Sequence, residues 1–165
     1  MPEESHGTNE PKTAPQLRQF TAGFAISAIL INPVGQIKEE KDRKAWLPGF
    51  ATAASYFEYF GKNALRAFFK SQRFGLNEQT GELLDDCKRY IERLSVNRVI
   101  DLLYWFGKIT STEYTKMCEV IKERNNIIHH TKGAGYQFKE KEQRRFRKLL
   151  EQSIECIRSL QRIRS

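Results

Sequence analysis

Cysteines and long apolar runs are scarce in this sequence, and each shortage excludes a class of protein. Only three of the 165 residues are cysteines, and they lie far apart: Cys87, Cys118 and Cys156. An odd count without a C-x-x-C pair argues against a disulfide framework and fits a reducing compartment, where thiols pack as small hydrophobic groups. Because the three histidines do not cluster with the cysteines, a structural zinc site is not expected. We predict neither a metal nor a cofactor.

The apolar runs are too short for a membrane span. The most apolar stretch runs from Ala22 to Val34 and is broken by Pro33, whereas a spanning helix needs about 20 apolar residues. The first residues are polar and lack the apolar core of a signal peptide. We therefore predict a soluble, cytoplasmic protein without a membrane partner. Residues 1–13 are predicted to be a disordered tail, and residues 14–165 a single domain.

Acidic residues are outnumbered, and the imbalance is local. The chain has 28 Lys and Arg against 20 Asp and Glu, for a net charge of +8. Residues 132–165 contain 10 of the basic but only 4 of the acidic residues, which leaves a net charge of +6 there. Such a surplus favours a polyanionic partner. The alternative is a solvated helix face, which is the more common meaning of a charge run.

Alternating strand patterns are also rare, and the chain is predicted to be all-α. The domain is expected to be an antiparallel bundle of five to six helices with short connections. A first helix over residues 14–31, ended by Pro33 and Gly35, is followed by a charged connection with one or two helical turns. The later predicted helices cover residues 48–73, a segment that Thr80 caps, residues 96–106, a segment starting at Thr110, and residues 138–163. In the segment after Thr80, Leu84 is predicted to belong to the buried stripe. Ser95 is predicted to cap the helix over residues 96–106, and Thr110 and Glu113 are predicted to form a capping box.

Aromatic residues crowd the helix predicted over residues 48–73. They cover more than one face, which is typical of a buried helix. Together with Arg66, Lys70 and Arg73, these rings could also stack nucleic-acid bases, but core and rim packing is the more common role of such a run.

One segment combines residue types that can carry chemistry. Residues 123–131 read Glu-Arg-Asn-Asn-Ile-Ile-His-His-Thr and are predicted to be the end of a helix, with Ile121 and Ile128 as its core anchors. Asn125 and His129 are four residues apart and share a face, with Arg124 next to them. Histidine exchanges protons near neutral pH, and arginine supplies a planar, permanently charged fork for phosphate oxygens. This set suits cleavage of a phosphodiester whose 2′-hydroxyl is the nucleophile.

Arg124-Asn125-x-x-x-His129 resembles the RNxxxH form of the signature of HEPN domains (higher eukaryotes and prokaryotes nucleotide-binding). The segment before it is also similar to that family: a short amphipathic helix, a glycine turn and a longer helix that ends in the signature. The resemblance covers about forty residues, from Leu94 to Lys132. It implies a helical bundle that forms a homodimer, with the signature helices facing each other across a basic groove.

The resemblance also implies an activity and partners. Many HEPN domains are metal-independent endoribonucleases that act as toxins or antiviral effectors, so RNA and an antitoxin protein are the implied partners. Arg124, Asn125 and His129 carry over as site residues. His130 satisfies the looser spacing of the signature and could share or replace the role of His129. Control by a nucleotidyltransferase antitoxin is doubtful, because Thr131 stands where one subgroup has the modified tyrosine.

Basic residues after the signature are candidates for holding the phosphate backbone of RNA. They are Lys132, Arg144, Arg145 and Lys148. This role requires that the last helix borders the signature helix, which the sequence alone does not establish.

Each of these residues also has a purely structural interpretation. His129 could bond a helix-end carbonyl, His130 could be an exposed neighbour, and Asn125 could make a structural hydrogen bond. Arg124 could form a salt bridge with Glu119 or Glu123, or complement the helix dipole. Two other functions therefore stay open: a non-catalytic HEPN module that binds RNA or a nucleotide or acts as an adaptor, and a structural or dimerisation domain.

Overall fold

The computed structural model describes residues 32–130 and 137–163, apart from the side chain of His130. These residues form six helices and no strand, so the predicted all-α bundle is confirmed. The predicted tail and the helix predicted over residues 14–31 lie outside the described residues. The helices are α1 (Pro33–Asp42), α2 (Trp46–Ser71), α3 (Asp85–Arg93), α4 (Val96–Trp105), α5 (Ser111–His130) and α6 (Glu140–Arg162).

Helix α1 begins at Pro33, a residue that the sequence analysis assigned to the end of a helix. Proline suits the first position of a helix because its missing N–H would have no partner there. Asn32 caps the new helix, since its side chain accepts a hydrogen bond of 2.8 Å from the backbone N–H of Gly35. The segment predicted to be a connection with one or two turns is thus a ten-residue helix.

Helix α2 is the central element of the bundle and contacts the other five described helices. Its aromatic residues are largely core, as expected for a helix that is apolar on more than one face. Phe50 is fully buried, and its ring centroid lies 5.5 Å from that of Phe146 of α6. At Gly61, α4 approaches so closely that an added Cβ would lie 2.4 Å from Cγ1 of Val99. The glycine therefore permits the close crossing of α2 and α4.

Helix α3 begins later than the sequence predicts. Thr80 was predicted as its cap, but α3 begins at Asp85. The side chain of Asn77 accepts hydrogen bonds from the backbone N–H groups of Gln79 and Thr80, at 2.9 and 3.1 Å. These bonds hold a turn instead of a helix. As a result Leu83, which belongs to this turn, is buried, whereas Leu84, predicted to be core, is exposed.

Two predicted caps are confirmed where α4 and α5 begin. The Ser95 side chain accepts a hydrogen bond from the N–H of Arg98 at the start of α4. Thr110 and Glu113 form the capping box of α5: the Thr110 hydroxyl accepts from the Glu113 N–H at 3.2 Å, and the Glu113 carboxylate accepts from the Thr110 N–H at 2.8 Å. These local bonds set the start of the helix that carries the signature.

Helices α5 and α6 pack against each other in antiparallel orientation. Lys116, near the start of α5, pairs with Glu155, far along α6, at 3.2 Å. Glu123, later in α5, pairs with Arg145, near the start of α6, at 2.7 Å. The basic first half of α6 therefore borders the end of α5 that carries Arg124 and His129.

Candidate functional site

The buried face of α5 near its end differs from the predicted one. Ile128 was predicted as a core anchor, but its side chain is 51% exposed and Ile127 is buried instead. At this end the buried stripe is formed by Val120, Glu123 and Ile127, at spacings of three and four residues. The reason is that α6 packs on this side and contacts Glu123 through Arg145. The exposed edge consequently contains Ile128 and His129.

Arg124 lies beside this stripe, and its side chain is half-buried. Its Nε and Nη2 donate hydrogen bonds to Oδ1 of Asn125 at 3.2 and 3.0 Å. Among the described residues Arg124 forms no ion pair, so the alternative of a bridge to Glu119 or Glu123 is wrong. The amide of Asn125 thus orients the guanidinium, and Nη1 has no hydrogen-bond partner in the part of the chain described.

His129 is exposed one turn after Asn125, on the same side of α5. An exposed imidazole is accessible to a substrate and to water, as proton exchange requires. The side chain of His130, together with Thr131 and Lys132, lies outside the described residues. Of the four predicted catalytic residues, Arg124, Asn125 and His129 are therefore described, and they occupy the last two turns of α5.

The three described basic candidates on α6 have different surroundings. Arg145 pairs with the buried carboxylate of Glu123 and also lies over the ring of Phe146, 5.5 Å from its centroid. Arg144 forms an ion pair with Glu140 of its own helix. Lys148 is exposed and has no acidic partner among the described residues. Arg145 is thus tied to the signature helix, and Lys148 is the candidate that remains open to a phosphate.

Glu123 is the residue of this site that the sequence analysis did not select. A buried carboxylate is costly unless it is paired, and here the pair joins α5 to α6 directly before Arg124. The signal was present in the sequence, since Glu123 occupies a position on the apolar stripe between Val120 and Ile127 where another hydrophobic residue would be expected.

The cysteines are free and belong to the packing of the helices. Burial raises the pKa of Cys156 to about 12, and burial also raises the pKa of Cys118. These thiols are therefore poor nucleophiles near neutral pH. In residues 32–130 and 137–163 no three His, Cys, Asp or Glu side chains are grouped so that they could hold a metal ion. Over the same residues, no helix is both long and apolar enough for a membrane span.

Comparisons of the chain with protein-family models, with curated proteins and with solved structures find no match. The likeness to HEPN domains consequently depends on the residues between Leu94 and Lys132 alone.

The described geometry brings three side chains to one end of the bundle. They are the exposed imidazole of His129, the guanidinium of Arg124, which Asn125 orients, and the guanidinium of Arg145 from the next helix. His129 can exchange a proton and Arg124 carries a permanent charge without an ion pair among the described residues, whereas the charge of Arg145 is compensated by Glu123. A phosphodiester is the substrate class that matches these groups, because its reaction requires proton transfer and stabilisation of negative charge on oxygen.

Proposed function

We propose that this protein is a metal-independent endoribonuclease of HEPN type, with Arg124 and His129 as catalytic residues. The observation that carries the proposal is the exposed imidazole of His129 on the same helix end as the Asn125-oriented guanidinium of Arg124. The position of the basic half of α6 beside this end supports an anionic substrate.

The proposed reaction is an internal transesterification. A general base removes the proton of a 2′-hydroxyl, and the 2′-oxygen forms a bond to the adjacent phosphorus. The bond from phosphorus to the 5′-oxygen breaks, and the leaving oxygen takes a proton from a general acid. The products are a 2′,3′-cyclic phosphate and a 5′-hydroxyl, so no water, oxidant or metal is consumed. Arg124 stabilises the negative charge on the phosphorane oxygens.

Such a reaction needs two proton-transfer groups in opposite protonation states. We infer that the second is the histidine of a second copy of the chain, or His130. The HEPN resemblance implies such a dimer, and Ile128, which is 51% exposed beside His129, would then lie at the contact between the two signature helices. In this arrangement the two signature helices would form one composite site.

A role in toxin–antitoxin systems or antiviral defence, in the cytoplasm, is part of the same proposal. It follows only from the HEPN resemblance, with an antitoxin protein as the implied partner. Thr131 argues against control through a modified tyrosine at that position.

A second function, RNA binding without cleavage, is favoured by a specific observation. Arg124 is half-buried and already bonded to Asn125, as expected for a residue that stabilises the end of α5. In that case the module would bind RNA through its basic residues, and His129 would have no role.

The decisive experiment is RNA cleavage in the presence of EDTA. Single-stranded RNA of random sequence is incubated with the wild-type protein and with Arg124→Ala, His129→Ala and the matched control Arg147→Ala, an exposed arginine of α6. Each site variant should lower the cleavage rate about 100-fold or more, whereas the control should remain close to wild type. An RNA with 2′-deoxy nucleotides should not be cut.

Two outcomes would contradict the mechanism. One is cleavage that survives both site substitutions, and the other is cleavage that requires a divalent metal. Tight binding of RNA without turnover, and without an effect of His129→Ala on affinity, would support the second function.

A further inference from the structure

A group of aromatic side chains, three of them exposed and two half-buried, lies where α2 and α4 end. Phe106, which follows α4, has its ring centroid 4.8 Å from that of Phe68 and 6.1 Å from that of Phe69. The ring centroid of Phe69 also lies 6.3 Å from that of Phe74, which follows α2. Trp105, the last residue of α4, directly precedes Phe106 in the chain and forms no ring contact among the described residues. We call these five residues the aromatic surface.

The aromatic surface is open to solvent. The side chain of Trp105 is 68% exposed and that of Phe74 is 57% exposed, whereas Phe50, one of the core aromatics on α2, is fully buried. Phe74 and Phe106 are exposed and both contact the half-buried Phe69, and a contiguous exposed apolar patch marks a candidate binding site. The central part of α2 therefore forms the core, and its end contributes to a surface that is open to a partner.

Basic residues predominate in the two chain segments that carry the aromatic surface. Residues 66–77 contain three basic and no acidic residues, and residues 102–112 contain Lys108 and no acidic residue. Arg66 and Lys70 pair with acids of the following segment, Glu92 and Glu82. Among the described residues, Arg73 and Lys108 have no ion pair.

Lys108 shows how a cation is placed among these rings. Its Nζ lies 4.4 Å from the centroid of Phe68, within the range of a cation–π contact. The two basic side chains without an ion pair among the described residues, Arg73 and Lys108, complement a polyanion, and exposed rings complement flat, unpaired bases. Proteins that bind single strands combine these two features, a positive groove along the backbone and aromatic rings on which bases stack.

We propose that the aromatic surface binds unpaired bases of single-stranded RNA. Bases stack on Trp105 and Phe74, while Arg73 and Lys108 contact the phosphates. The inference rests on RNA as the ligand of the proposed function, and it adds a second contact region for that ligand. Residues 106–110 connect this surface to the first residue of α5, Ser111.

The aromatic surface and the candidate catalytic residues lie toward opposite ends of α5. Ser111 and Arg124 are thirteen residues apart on α5, which corresponds to a rise of about 20 Å along the helix axis. One RNA molecule that contacts both regions must therefore be an extended strand of several nucleotides. The aromatic surface would then select unpaired RNA, since bases inside a duplex cannot stack on protein rings.

The intrinsic fluorescence of Trp105 can report binding directly. The other tryptophan, Trp46, is buried, so its emission should not respond to RNA on the surface. Fluorescence is recorded while single-stranded RNA is added, in an Arg124→Ala, His129→Ala background that prevents cleavage. We expect RNA to quench the emission, and we expect Trp105→Phe to abolish the quenching with little change in affinity. A duplex of the same sequence should quench far less.

Affinity is then measured with labelled RNA. The double variant Trp105→Ala, Phe74→Ala should bind about tenfold or more weakly. The matched control is Tyr90→Ala, which removes an exposed ring of α3 that has no ring contact among the described residues. It should bind as tightly as the parent protein, and circular dichroism should show that both variants are folded.

Three results would overturn the proposal. They are the absence of quenching, equal affinities of the double variant and the control, or a shift of the double variant from dimer to monomer in sedimentation without loss of RNA affinity. The last result would identify a protein contact. If the cleavage mechanism is wrong, RNA should still quench the emission of Trp105. If this proposal is wrong, substitution of Arg124 or His129 should still lower the cleavage rate. The two failures are therefore distinguishable.

Discussion

The two ends of α5 use their polar side chains differently. At its start, Thr110 and Glu113 bond each other, and Tyr114 donates a hydrogen bond of 3.1 Å to Asp101 of α4, which raises the pKa of Tyr114 to about 12. At its end, Arg124 bonds only its neighbour Asn125 among the described residues, and His129 is exposed. The start of the helix is therefore bonded to itself and to α4, while its end keeps an exposed imidazole and a guanidinium that is bonded only to its neighbour among the described residues.

Among the described residues, one ion pair ties the polar side chains at the end of α5 to another helix. Glu123 is buried and pairs with Arg145 of α6, so that the residue directly before Arg124 is fixed. This contrast between a well-bonded start and an end with one polar anchor can be tested by removing contacts from each end in turn.

The largest effect on stability is expected from Arg145→Ala. The change leaves the Glu123 carboxylate buried without its cation, which should lower the free energy of unfolding by about 1–3 kcal/mol. A fully buried pair would cost about 3–5 kcal/mol, but the Arg145 side chain is 58% exposed. Urea unfolding followed by circular dichroism measures the difference.

The matched control for this prediction is Arg147→Ala, an exposed arginine of α6 without an acidic partner among the described residues. It should change the free energy of unfolding by less than about 0.5 kcal/mol. Adding Glu123→Gln to Arg145→Ala should restore part of the loss, because a neutral amide is less costly to bury. Equal effects of the two arginine substitutions on the free energy of unfolding would show that the buried Glu123 carboxylate is not stabilised by Arg145.

Local signals in the sequence predict the helices better than they predict the site. Ser95 and Thr110 were recognisable as caps because a cap depends on residues three positions apart. Thr80 has the same chemistry but belongs to a turn held by Asn77, which the pattern does not reveal. Ile128 was predicted to be buried, but Ile127 is buried in its place. The buried face at the end of α5 is set by its packing against α6, which is a contact between distant parts of the chain.

Some contacts of the candidate site could likewise be predicted from local spacing, and others could not. Arg124, Asn125 and His129 could be grouped from the sequence, since helical spacing brings them to one end of α5. The contact between Glu123 and Arg145 could not, because it depends on how α5 and α6 pack. The aromatic residues near the ends of α2 and α4 likewise became one surface only when the helices were placed together.

A smaller effect is expected at the start of α5. Thr110→Ala removes the side chain that caps the helix and should lower the free energy of unfolding by about 1 kcal/mol. At the opposite end, His129→Ala should change it by less than about 0.5 kcal/mol, because the side chain is exposed. Urea unfolding of the two variants side by side gives the comparison directly. A larger loss for His129→Ala would mean that this histidine has a structural role.

The smallest effect concerns acid stability and again involves the start of α5. Burial alone would raise the pKa of Glu113, but hydrogen bonds from Ser159 of α6 and from Thr110 outweigh it and hold the pKa below its usual value of 4.5. A carboxylate with a lowered pKa stabilises the fold above its unfolded pKa, and this contribution is lost as the pH falls through the folded pKa. Glu113→Gln should therefore flatten the decrease in the free energy of unfolding below about pH 4.5.

Unfolding measured between pH 7 and pH 3 tests this prediction. The control is Glu78→Gln, which changes an exposed glutamate and should keep the wild-type slope. A wild-type slope in Glu113→Gln would mean that these bonds do not favour the ionised carboxylate, and the two ends of α5 would then differ less than their hydrogen bonds indicate.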